Sequence, residues 1–170
     1  METRMRIVPS RGFTLLEVLI ALLIFSLGML GLAGLMVVSV KTNQSAYLRT
    51  QASFLAQSMA DRMRTNTSKI NDYNGDYDAS TASGTPCTSC TPDQLLDRDR
   101  IVWSKQLVES LPANSTANIN CTGAVIPASS GAGTYDGICE FTIQWPEAEL
   151  KQSNGSGAPR TQTFAWVFQP

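Results

Sequence analysis

The chain of 170 residues contains no histidine. That absence removes the commonest general base, the Ser-His and Cys-His pairs and the commonest metal ligand together. A non-catalytic role without a cofactor is therefore expected. Cysteine is scarce: Cys87, Cys90, Cys121 and Cys139 are the only four, an even count placed beyond a long apolar run, which suits disulfides in an exported body. Charge of either sign is nearly balanced, at a net −1, and no nucleic-acid partner is expected. The balance hides an asymmetry, because residues 1–12 hold Arg4, Arg6 and Arg11 against Glu2. Proline, finally, is missing from Thr14 to about Asn66, so nothing there forbids one long helix.

The apolar run extends from Phe13 to Val40, and its only clearly polar side chains are Thr14, Glu17, Ser26 and Ser39. As a helix it would span about 42 Å, more than the roughly 30 Å of a hydrocarbon core. A removable secretory signal is too short to explain it. The basic leader favours a cytoplasmic N-terminus and a periplasmic body, hence a single-pass inner-membrane protein. Glu17 is expensive to place in lipid and is a functional candidate for that reason. Gly28, Gly31 and Gly34 admit two readings: a small-residue face for another helix, or a weak segment that loosens when the helix leaves lipid.

Beyond Val40 the helical period continues, with Leu48, Ala52, Leu55, Ala56, Met59 and Met63 on one face. The expected organisation is a leader at 1–12, a helix at 13–66 that crosses the membrane over 13–40, and a periplasmic body at 67–170. Residues 67–91 read as a long surface connection, with Asn74-Gly75 and Ser83-Gly84 as turns and Pro86 near its close. Cys87-Thr88-Ser89-Cys90 admits a small disulfide loop, half of a zinc site or a redox pair. A four-thiolate zinc site would lack its second close pair, since 17 residues separate Cys121 from Cys139.

Thr91-Pro92-Asp93-Gln94 has the form of a helix start, with Thr91 as the cap. That helix is expected to reach about Leu111, to bury Leu96, Trp103, Leu107 and Leu111, and to expose a charged face of Asp97, Arg98, Asp99, Arg100 and Lys105. The period then changes to two. Gly137 to Trp145 places Cys139, Phe141, Ile143 and Trp145 on one side; Thr161 to Phe168 does so with Phe164, Trp166 and Phe168. The loop between them would run from Pro146 to Pro159. A third strand, Ala117 to Cys121, could pair with the first and bring Cys121 to Cys139, with Cys87–Cys90 as the second bridge. The sum is an α+β fold in which a long N-terminal helix packs on a small antiparallel sheet, with one additional helix.

Gly12-Phe13-Thr14-Leu15-Leu16-Glu17-Val18, after a basic leader and before an apolar helix, resembles the class III signal of type IV prepilins and type II secretion pseudopilins. The resemblance implies cleavage between Gly12 and Phe13 by a prepilin peptidase, N-methylation of Phe13, and a subunit-assembly role for Glu17. The segments Leu27 to Leu35 and Gln51 to Arg64, then Trp103, Leu111-Pro112 and the terminal aromatic strands, are similar to the PilV family of minor pilins, the type IV pilus modification proteins. Gly34 stands where many major pilins carry a helix-kinking proline. Such a likeness implies a type IV pilin-like fold and partnership with other minor pilins, the major pilin and an inner-membrane assembly platform. It also implies a low-abundance complex that primes the fibre or sits at its tip, can present an adhesin, and supports adhesion or motility. A minor pseudopilin of a type II secretion system is the alternative; a membrane-anchored periplasmic redox protein using Cys87 and Cys90 is a third.

Overall fold

A computed structural model describes residues 12–82, 87, 89–127, 133–147 and 160–170. The expected leader apart from Gly12, the Ser83-Gly84 turn, Pro86 and most of the loop up to Pro159 lie outside the described residues. The chain divides between Asn43 and Gln44 into two compact units.

Helix α1, Leu15–Thr65, begins in the first unit and ends in the second. Residues 12–40 are exposed throughout, including Phe13, Leu16, Ile20, Leu23 and Phe25, so this half buries no side chain within its own unit. The helix is long and apolar enough there to cross a membrane.

The second unit is α+β. From residue 48 onward, α1 buries Leu48, Ala52, Leu55, Ala56, Met59, Ala60 and Met63, the apolar stripe that the 3.6-residue period singles out. These residues share one core with the inward faces of a four-stranded antiparallel sheet and with a second helix. The strands of the sheet are β1 (Gly75–Tyr77), β2 (Thr116–Thr122), β5 (Ile138–Glu147) and β6 (Arg160–Phe168), in the order β1-β2-β5-β6. A separate two-stranded ribbon pairs β3 (Val125–Ile126) with β4 (Thr134–Tyr135). Cys139, Phe141, Ile143 and Trp145 all point into the core from β5, as strict alternation requires. Gly123 and Gly137 meet where β2 and β5 give way to the ribbon, and their backbones approach too closely for a Cβ at either position.

Helix α2, Pro92–Ser110, starts with a complete capping box: the Thr91 hydroxyl accepts from the Gln94 N–H, and the Gln94 side chain accepts from the Thr91 N–H. Its inward face fixes it to α1. Trp103 is fully buried, donates from Nε1 to the Leu55 carbonyl at 2.8 Å, and meets the ring of Tyr77 edge-on at 5.3 Å.

Three expectations need correction. The segment 67–91 is not simply a surface connection: a 3-10 helix over Thr67–Tyr73 and strand β1 occupy its first half, and Ile70, Tyr73 and Tyr77 are buried. The sheet accordingly has four strands rather than three, and β5 continues through Pro146 to Glu147. Asp99 does not join a solvated charged face. It is 1% exposed, because its position on α2 follows Leu96 by three residues and precedes Trp103 by four, which turns it inward.

Candidate functional site

In the first unit, Thr14 caps α1. Its Oγ1 accepts from the Glu17 N–H at 3.2 Å, and its carbonyl accepts from the Val18 N–H at 3.3 Å. The sequence Thr14-Leu15-Leu16-Glu17 has capping-box spacing, but only the first half of the box is formed. The Glu17 carboxylate is therefore not returned to the Thr14 backbone; it has no hydrogen-bond or ion-pair partner among the described residues. It sits in the first turn, where the helix dipole favours negative charge. Around it an open groove is lined by Phe13, Val18, Ala21, Leu22 and Phe25, all apolar. Glu17, Ala21 and Phe25 recur every fourth residue and share one helix face, so the acid sits in line with an apolar stripe. Gly12 and Phe13 precede the helix in irregular, exposed backbone.

The arrangement sets one carboxylate without a partner into an apolar helix face. An exposed carboxylate in an apolar face is costly to leave unpaired once lipid or other helices exclude water.

A family model described as the prokaryotic N-terminal methylation motif matches residues 9–33. The match supports a type IV pilin-like protein. Its α+β architecture, a long N-terminal helix with an antiparallel sheet, fits the type IV pilin-like fold. A signal of this kind implies processing by a prepilin peptidase and a pilus or secretion assembly machinery, and together with the apolar helix it fits a membrane-anchored pilin. No curated protein and no solved structure matches the chain.

The second unit of this pilin-like chain holds a buried polar cluster that sequence reasoning missed. Asp99 Oδ1 accepts from Arg62 Nη1 at 3.0 Å, and Oδ2 accepts from the Tyr73 hydroxyl at 2.8 Å. Asn66, 4% exposed, donates from Nδ2 to the Pro92 carbonyl at 2.9 Å. The cluster joins the end of α1, the 3-10 helix and α2 at one point. Each of these side chains is engaged within the fold, with only Arg62 Nε left without a hydrogen-bond partner among the described residues, so the cluster reads as a clasp rather than a binding site.

The four cysteines lie in two places. Cys121 and Cys139 are directly opposed on β2 and β5, with Cα atoms 4.0 Å apart, and are bonded. Cys87 and Cys90 are bonded to each other just ahead of α2, with a Cα separation of 5.8 Å. Among the described residues no cysteine is free, and no group of three or more His, Cys, Asp or Glu could hold a metal ion.

Proposed function

We propose that the chain is a minor pilin: a non-catalytic subunit, anchored in the inner membrane with its body in the periplasm, that helps to prime type IV pilus assembly at or near the fibre tip. Prepilin peptidase cuts between Gly12 and Phe13, the new terminus of Phe13 is methylated, and Glu17 aligns the subunit against a neighbour's N-terminal amine. The observation that carries this reading is the unpartnered Glu17 carboxylate in an apolar helix face, the fifth residue after the expected cut. An amine held by a neighbouring subunit would neutralise it at one axial offset, and methylation leaves that amine charged. The resemblance to PilV-type minor pilins supports the pilus over a secretion pseudopilus; the processing chemistry is common to both.

Two measurements test it. Co-expression with a prepilin peptidase and intact-mass analysis should yield a chain that begins at Phe13 and carries one extra methyl group; an uncut chain, or a cut elsewhere, contradicts the processing step. Deletion in the native host should deplete surface pili. Normal pili with failed export of folded periplasmic proteins would instead assign the chain to a secretion pseudopilus.

A further inference from the structure

Strand β6 is an edge: it pairs with β5 on one side and with nothing on the other among the described residues. Its nine residues run beside β5 in unbroken register, from Cys139↔Phe168 to Glu147↔Arg160. Such an edge turns unpaired N–H and C=O groups outward, and stable monomers usually guard it with a bulge, a lysine or a proline. β6 has none of these, and residues 161–168 carry no charge. The opposite edge, β1, has only three residues.

The aromatic layer beside this edge is incomplete. Phe164 and Trp166 face inward but remain half-exposed, while Ile143 and Phe141, opposite them on β5, are sealed. Trp166 stacks on Phe168 with ring centres 5.2 Å apart and on Phe141 at 6.0 Å. One more strand would cover the shelf. Two cations from α1 bracket it. Arg49 Nη2 donates to Gln162 Oε1 at 3.4 Å, and the Arg64 guanidinium lies 5.3 Å from the centre of the Phe168 ring. Arg49 has no carboxylate partner among the described residues; Arg64 has only the exposed Asp61. From Gln162 to Phe168 the strand advances about 20 Å.

We propose that the β6 edge receives an extended segment of a partner polypeptide by strand addition. The segment is apolar at the inward positions opposite Phe164 and Trp166, and acidic at those opposite Gln162 and Phe168. Main-chain hydrogen bonds supply the affinity, and the two arginines set register and sign. This site is independent of the N-terminal motif.

The test uses the full chain in detergent micelles and a labelled seven-residue peptide with acids at positions one and seven, valines at three and five, and threonines between. Saturable binding is expected. N-methylation of the peptide amides that face β6 should weaken it about tenfold or more, since each methylated amide loses its main-chain hydrogen bond. Arg49→Gln, a change at an exposed position, should weaken it about threefold to tenfold. Undiminished binding of the N-methylated peptide, indifference to Arg49→Gln, or no saturable binding below about 1 mM would overturn the proposal.

Discussion

The Tyr73 hydroxyl donates a 2.8 Å hydrogen bond to Asp99 Oδ2, while the other carboxylate oxygen is held by Arg62. The two residues come from segments that composition alone assigns to solvent, a polar connection and a charged helix face. Their meeting places an ion pair at the junction of α1 and α2, with the Asp99 side chain 1% exposed and that of Arg62 21% exposed.

Removing one partner of such a pair strands the other. Asp99→Ala should cost about 3 kcal/mol, whereas Asp99→Leu combined with Arg62→Met, which removes both charges at similar volume, should cost less, retaining about 1–2 kcal/mol for the buried Tyr73 hydroxyl left without its acceptor. Chemical denaturation of the full chain in detergent measures both. Equal losses in the single and the double variant would show that the charges are not coupled.

A pH dependence follows from the tyrosines. Burial pushes the Tyr73 hydroxyl above its ordinary range, with the hydrogen bond to and the charge of Asp99 adding to the rise against an opposing Asn66 contact. Burial likewise raises Tyr77, against the lowering influence of Arg100. A group whose folded-state pKa is raised contributes stability that is complete below its unfolded value, about 10 for tyrosine, and is lost as pH rises through the folded value. Denaturation midpoints should therefore fall as pH rises above about 10, and less steeply in Tyr73→Phe. A midpoint that is flat across that range would contradict the burial of these hydroxyls.

Asn74 uses its side chain as a strand backbone would: Oδ1 accepts from the Cys121 N–H at 2.6 Å, and Nδ2 donates to the Cys121 carbonyl at 3.1 Å. The pair extends the β1–β2 contact up to the Cys121–Cys139 bridge. Asn74→Asp keeps the acceptor, loses the donor and sets a carboxylate oxygen against a carbonyl, so it should cost about 1–2 kcal/mol. Thermal or urea melting checks this, and an unchanged midpoint would mean that the amide contributes nothing.

Legibility in the sequence followed the regularity of the burial signal. The α1 stripe from Leu48 to Met63 and the alternation of Cys139, Phe141, Ile143 and Trp145 repeat often enough to fix both element and face. Thr91 was readable because a capping box is a local chemical pattern. The 3-10 helix and β1 are too short to build a period, and their buried residues, Ile70, Tyr73 and Tyr77, stand among Asn, Asp and Gly. Asp99 shows a different failure, in which residue type was weighed above position: its place between Leu96 and Trp103 already marked it as inward. On β6, Phe164 and Trp166 were correctly placed on one face, but periodicity says nothing of which strand lies at an edge, and so nothing of their half-exposure. At the N-terminus the motif makes Gly12, Phe13 and Glu17 candidates, while the free state of the Glu17 carboxylate is visible only in the geometry of the Thr14 cap.

The proposed role of Glu17 is tested most directly by Glu17→Ala in the native host, measuring incorporation of the chain into sheared filaments beside its processing at Phe13. Normal cleavage with incorporation reduced about tenfold or more is expected, since a lost partly desolvated charge pair is worth at least roughly 1.4 kcal/mol. Wild-type incorporation of the alanine variant would contradict the claim that this carboxylate recognises a neighbouring subunit's terminus.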